Sequence, residues 1–167
     1  MHPQNQTALD ERLNRSDLTI GVLSDTHGAI PPEGLEVLRC CDVIVHAGDI
    51  DTPELLETLQ KVAPVSAVRG NMDRGGWARG LPLRQTLISG ALAIHVVHDL
   101  QTLDMDPRAA GIGLVISGHS HQPLLASSDG VIFLNPGSVS HPRGGSKPSL
   151  AMVQVRRGAP EARLIAL

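Results

Sequence analysis

An α/β fold of two packed sheets with helices outside them is the architecture this sequence predicts, and three observations point to it. The chain has 167 residues, 41% apolar and 19% charged. That is the composition of one soluble globular domain, large enough to bury roughly 70% of its unfolded surface. Through residue 73, short apolar runs alternate with polar loops and helical stretches, the pattern of a parallel α/β sheet. Beyond residue 86 helices become rare and pairs of strand-like runs flank glycine turns. A doubly wound sheet would continue the first pattern to the end, so the change in texture argues for two sheets.

In chain order, residues 1–17 are polar and have no apolar stretch. They read as a disordered extension, not a signal peptide, ahead of a domain over 18–167. Residues 18–23 form a continuous, partly β-branched apolar run, which suits a strand buried on both faces. A helix follows from Pro32, which favours the first turn, to Arg39. Residues 43–47 give a second buried strand, and Thr52-Pro53-Glu54 opens a helix to Lys61 with Thr52 as its cap. Residues 65–68 are a third strand. A loop over 74–82, with three glycines, is the expected mobile segment. Then come a hairpin across Ser89-Gly90, a buried strand at 114–117, a hairpin across Ser127-Ser-Asp-Gly130 and another at Arg157-Gly158.

Charge and ring content exclude several functions. The net charge of −3 provides no basic field for nucleic acid. One Trp, one Phe and no Tyr leave no platform for stacking bases, and the core must be aliphatic. The apolar runs are strand-length and too short to cross a bilayer. Adjacent Cys40 and Cys41 suit neither an ordinary disulfide nor a CxxC pair, and read as small apolar residues closing a helix in a reducing, cytoplasmic compartment. Eight histidines are the anomaly.

The histidines gather with acids at strand ends. Asp25 and His27 follow the first strand, Asp49 the second, and Asn71 with Asp73 the third. His98 follows the strand at 91–97, and His119 with His121 follows the strand at 114–117. In open α/β sheets ligands bind beyond the carboxyl ends of strands, so these residues can converge on one crevice. Asp-x-His and His-x-His each put two donors two residues apart, on one side of an extended chain. Mixed imidazole, carboxylate and amide donors suit Mn, Fe, Ni or Zn better than Ca or Mg alone. Asp73 aside, seven such residues exceed one tetrahedral ion and divide into two groups sharing a carboxylate, as in sites built for in-line displacement at phosphorus. A single Asp or His at a strand end is usually a turn residue; the whole set is what carries the reading.

Asp25-Thr-His27, Gly48-Asp49, Gly70-Asn71-x-Asp73, Val97-His98 and Gly118-His119-Ser-His121 resemble, in order and spacing, the motifs of the calcineurin-like metallophosphoesterases. The short length and Asn135-Pro-Gly-Ser138 resemble the small YfcE-type phosphodiesterase branch. The resemblance implies a four-layer αββα sandwich of two mixed sheets flanked by helices, and two divalent metal ions. Mn²⁺ is the first choice, with Fe²⁺, Ni²⁺, Zn²⁺ or Mg²⁺ as alternatives. Asp25, His27 and His121 would hold one ion, Asn71, His98 and His119 the other, and Asp49 would bridge them. A hydroxide between the ions would attack phosphorus, with Asp49 and His98 as the catalytic residues.

Two positions depart from the pattern. Met72 stands where many relatives have a histidine that protonates the leaving group, and Asp99 where glycine is common. Asp73, Asp99, His141 and Arg143 are candidate substrate contacts. His95 is the alternative to His98, His46 reads as a buried hydrogen-bonded side chain, and Trp77 as a core anchor. The expected activity is phosphodiester hydrolysis on a small phosphoester substrate. A phosphomonoesterase and a non-catalytic interaction scaffold on the same fold, like the retromer subunit of the superfamily, are the alternatives. No membrane or nucleic-acid partner is expected, and strand edges in the β-rich half leave a homodimer open.

Overall fold

The computed structural model describes residues 3–167; His2, read as part of the tail, lies outside them. Helices flank two mixed five-stranded sheets. The first sheet contains β1 (Asp17–Leu23), β2 (Val43–His46) and β3 (Val65–Ala67) in parallel. It is completed by the hairpin of β9 (Ser149–Arg156) and β10 (Ala159–Ala166), β9 pairing antiparallel with β1. The second sheet is built on β5 (Leu92–Val97), β6 (Ile112–Ile116) and β8 (Val131–Asn135), again parallel. Antiparallel edges, β4 (Arg84–Ser89) and β7 (Leu124–Ser128), close its two sides. Because each trio is parallel, its carboxyl ends point one way, and the loops after β1, β2, β3, β5 and β6 meet at one rim.

The hairpins follow from turn chemistry. Asp129-Gly130 and Arg157-Gly158 are two-residue connections with φ of 52° and 81°, and of 51° and 80°. Both residues of each pair are left-handed, as turns matching the right-handed twist of the strands require.

Alternation along the strands sorts the core into layers. Ile20, Val22, Val43, Val45 and Val153 meet Ile94, Val96, Leu114, Ile116 and Leu134 between the sheets. Leu23, Ile44 and Val65 face outward to α2 (Pro32–Leu38) and α3 (Pro53–Gln60), whose Leu38, Leu55 and Leu59 cover them. Gly21 lets α2 approach closely, because a Cβ there would collide with the Leu38 side chain and press on Cys41 Sγ. Outside the second sheet a smaller cluster of Ile112, Val115 and Val131 takes Leu100 from a 3-10 turn (Leu100–Thr102). Trp77 packs on the helix-side cluster, and Ala78 and Leu81 are buried beside it, so the glycine loop is pinned at its centre. Of the two cysteines only Cys41 is buried; Cys40 is exposed. No helix among the described residues is long and apolar enough to cross a membrane.

The extension expected to be disordered is instead helix α1 (Pro3–Leu13). Leu9 and Leu13, spaced four apart on one helical face, enter the inter-sheet core. Two leucines in eleven polar-rich positions make no apolar stretch, which hides the helix in the sequence. Asn5 adds a second anchor: its Nδ2 donates to the Val65 carbonyl and its Oδ1 accepts the Val65 N–H, both at 2.8 Å. One side chain thus imitates a neighbouring strand along the free edge of β3. Arg12 and Arg15 reach Asp42 at 3.3 and 2.5 Å, but such exposed pairs add little.

Packing therefore dominates the docking of α1. Leu9→Ala, at a fully buried site, is expected to lower unfolding stability by about 2–5 kcal/mol in urea titrations. Thiol labelling at pH 8 should modify Cys40 alone in the native protein, since burial, followed by the neighbouring Cys40, pushes the Cys41 thiol up to about 12. Rapid labelling of both thiols under native conditions would contradict this packing.

Candidate metal centre

Loops after the parallel strands are zipped together by main-chain bonds. Asp25, His27 and Gly28 donate N–H to the carbonyls of Gly48, Asp49 and Ile50 at 2.9, 3.1 and 2.8 Å. Gly118 donates to the His98 carbonyl at 2.8 Å, joining the loops after β6 and β5. Six non-glycine residues here, Asp25, His27, Asp49, Asp51, His119 and His121, have φ between 46° and 71°. Left-handed backbone costs an L-residue on the order of 1–2 kcal/mol, and its concentration in one rim marks a site held against strain. The expectation that each x-separated pair lies in extended chain is therefore corrected. His119 and His121 face different groups of donors, the division that the resemblance implies.

One group comprises Asp25, His27 and His121. The His27 Nδ1 faces the Asp51 carboxylate at 3.0 Å, and the His121 Nδ1 faces the His141 carbonyl at 2.6 Å. Both partners only accept, so both Nδ1 atoms carry hydrogen, and the tautomer able to bind a cation presents Nε2 as its free acceptor. Those two Nε2 atoms stand 3.4 Å apart, and Asp25 Oδ1 lies 3.3 Å from that of His121. Asp25 Oδ1 is buried with no hydrogen-bond partner. Three acceptors converging without a donor is an arrangement that fits a cation.

A second group lies alongside. His98 donates from Nδ1 to the Ala47 carbonyl at 2.7 Å, which turns Nε2 toward Asn71 Oδ1 at 3.0 Å and Asp49 Oδ2 at 3.4 Å. His119 brings Nδ1 to 3.1 Å from the same Asn71 oxygen. Donor atoms of Asp25, Asp49 and His98 lie within 4.8 Å of one another, so the two groups are contiguous. All seven residues expected as ligands are thus brought to one rim.

Electrostatics agree with a place for positive charge. Burial is the main influence on Asp25 and raises its carboxyl above the ordinary value, so the charged form needs a counter-ion. Burial also works against ionised Asp49, but the His98 hydrogen bond, the Met72 N–H and the His98 charge outweigh it and hold Asp49 below the usual range. In His98, burial acts downward and is overcome by the Asp49 hydrogen bond and charge, so its imidazole is raised. The acceptors around His98 Nε2, Asn71 Oδ1 and Asp49 Oδ2, thus favour positive charge at that position.

The remaining expected residues fall in different places. His95 points to the other face of β5, where its Nδ1 meets Thr86 Oγ1 at 3.0 Å, and takes no part in the site. Asp73, expected at the substrate, is turned inward. Its Oδ2 accepts N–H from Asp49 and Gly70 at 3.0 and 2.7 Å, and its Oδ1 from Ile50 and Asp51 at 2.7 and 2.8 Å. With both oxygens so engaged it shapes the loops instead of meeting a ligand. Gly70 allows this closeness, because a Cβ there would collide with Asp49. Asp99 stands at the rim, accepting the Gln101 N–H at 3.0 Å with its Oδ2 4.0 Å from His119 Nε2. His141 and Arg143 are exposed and, with His27 and His121, line a cleft of about 570 Å³.

Residues 18–158 match the calcineurin-like phosphoesterase superfamily domain. The chain belongs to that superfamily. It is 32% identical to a probable metallophosphoesterase of Methanothermobacter thermautotrophicus, over 87% of this chain and 96% of the relative. Its fold matches that of an archaeal phosphodiesterase with a TM-score of 0.74, at 20% identity over 89% of this chain and all of the other (100%). Yfce, a phosphoesterase from E. coli, gives a TM-score of 0.67 at 22% identity, over 89% of this chain and 99% of the other.

Of the further residues that shape this site, Asn135 and Ser138 belong to a quoted motif and His46 is the expected buried, hydrogen-bonded side chain, whereas Asp51 is not apparent from the motifs. Asp51 orients His27, a role that no spacing announces. Asn135 donates to the Gly118 carbonyl at 2.7 Å, and Ser138 donates to the Asp25 carbonyl at 2.6 Å, so the loop after β8 braces both halves of the rim. His46 is fully buried and links the first two loops. Gly48 N–H donates to its Nδ1 at 3.2 Å, which fixes hydrogen on Nε2, facing Thr26 Oγ1 at 2.9 Å.

Burial, chiefly, and the nearby His98 push the His46 imidazole down from 6.5 to about 3. Between those values the unfolded chain binds a proton that the folded chain does not, so stability rises with pH across that window and is lost on acidification. In metal-free protein about 3 kcal/mol of this contribution is expected to be gone near pH 4.5. Urea titrations near pH 7 and pH 4.5 should show His46→Gln with the flatter dependence by that amount; parallel behaviour of the two proteins would rule the assignment out.

Proposed function

We propose that this phosphoesterase hydrolyses phosphodiesters with two divalent cations, manganese first among them. Asp25, His27 and His121 would hold one, Asn71, His98 and His119 the other, with Asp49 between them. The observation that carries the reading is the convergence of bare acceptors: two facing Nε2 atoms and the partnerless, buried Asp25 Oδ1. When bound, such a pair of cations supplies a water of lowered pKa and positive charge for the phosphoryl oxygens.

The chain's own groups do the positioning. Asp51 and the His141 carbonyl hold His27 and His121 with Nε2 forward, while the Ala47 carbonyl does the same for His98. The Met72 N–H fixes one oxygen of Asp49 at 2.8 Å and leaves the other directed at His98. The Met72 side chain, exposed beside the site, cannot donate a proton. Leaving groups that depart as stable anions are therefore favoured over poor ones. Diesters are preferred in this reading to monoesters, whose second negative charge would meet Asp99 at the rim. Retention of every expected donor supports catalysis over a purely scaffolding role, and the shared fold with an archaeal phosphodiesterase supports the diester.

Purified protein supplied with Mn²⁺ is expected to cleave bis(p-nitrophenyl) phosphate faster than p-nitrophenyl phosphate. Chelation should abolish this, and Asp49→Ala should reduce it by about a thousandfold or more. Turnover surviving both treatments would overturn the mechanism. Metal uptake would require the neutral His98 imidazole, whose protonated form is favoured by Asp49, so Mn²⁺ affinity measured by calorimetry should weaken as pH falls through the imidazole range.

A further inference from the structure

On the Asn71 side of the centre a cleft of about 480 Å³ opens beyond His98 and His119, and its outer wall contains Arg69, Leu83, Arg84 and Asp99. Arg69 immediately precedes the loop that presents Asn71. Its main chain is fixed, its N–H donating to the Pro82 carbonyl at 2.8 Å, and its side chain is partly buried. Among the described residues the Arg69 guanidinium has neither a carboxylate nor a hydrogen-bond partner. Arg84 enters the same cleft and is steadied by an ion pair with Asp104 on the surface. Leu83, 58% exposed between them, is an apolar wall that no side chain covers. Asp99 faces the cleft from the His119 side, so an anion entering is repelled there and drawn toward Arg69.

A planar five-donor group without a carboxylate, beside a centre for phosphoryl chemistry, matches a tetrahedral oxyanion. We propose that this cleft is a second phosphate subsite. It receives a phosphate on the part of the substrate that is not attacked, with Arg69 as the principal donor, Arg84 as an outer donor and Leu83 against the organic body. This specificity rests on the phosphodiesterase reading and narrows it to phosphodiesters bearing a further phosphate.

Two p-nitrophenyl nucleotide diesters that differ only in a second phosphate on the sugar test the idea, because both release the same nitrophenolate. Wild-type protein with Mn²⁺ should favour the bisphosphorylated compound about tenfold in kcat/KM, mainly through KM. Arg69→Gln should bring the ratio of the two substrates to about one, Arg69→Lys should retain part of it, and Arg84→Gln should lower it less. Calorimetric binding of the corresponding nucleoside bisphosphate and monophosphate to the Mn²⁺-loaded proteins gives the same comparison without turnover. No wild-type preference in either measurement, or a preference unchanged in Arg69→Gln, overturns the subsite. No hydrolysis of either diester overturns the phosphodiesterase reading instead, and the binding ratio then decides the cleft by itself.

Discussion

Asp73 commits its whole carboxylate to main-chain N–H groups, two on each oxygen, and so holds the loop after β2 against the loop after β3. Much of the centre depends on that clamp. It sets the path of Asp49, Ile50 and Asp51, and hence the direction of the Asp49 carboxylate and of the Asp51 group that aligns His27. Charged acceptors bonded to several buried N–H groups are among the stronger contacts a protein makes, and leaving those N–H groups unpaired would cost on the order of 1–3 kcal/mol each. Glycine precedes Asn71 because the main chain and carboxylate of Asp49 approach too closely there for a side chain.

Around this frame the protein accumulates features that are unfavourable singly. Six left-handed non-glycine residues, a buried carboxylate oxygen without a donor and two imidazole nitrogens facing each other all occupy one rim. Two braces hold them together, the loop after β8 through Asn135 and Ser138, and His46 between the first two strands. Aliphatic packing between the sheets supplies the background stability, and α1 seals one part of it with Leu9 and Leu13. Cation binding would relieve the repulsion among acceptors, so strain in the metal-free chain and affinity for metal are two aspects of one arrangement.

The strands, the two glycine hairpin turns and the seven donors were readable because each depends on local chemistry: alternation, turn-forming pairs, and donor side chains just past a strand. Asp73 and Asp51 show the limit. Asp73 lies within a motif and Asp51 just past one, and nothing in their neighbours distinguishes a carboxylate that contacts a ligand from one that binds main chain or orients a histidine. That difference depends on whether the chain turns inward, which strands distant in sequence decide. His95 and His98 pose the same problem within one segment. His95 falls on the outward face of β5, and His98 lies past its end, where the strand period no longer applies.

By itself the sequence determined the α/β class, the two-sheet division and the rim at which the Asp, Asn and His side chains gather. Only the tertiary structure decided which carboxylate or carbonyl orients each histidine, that Asp73 is a clamp, that residues 3–13 are a docked helix, and that Arg69 lines an open cleft. Periodicity and turn preference are properties of neighbouring residues, and they survive in a linear reading. Side-chain direction in left-handed loops, and the burial of two leucines in a polar helix, are set by contacts between segments far apart in the chain, which exist only once both sheets have packed.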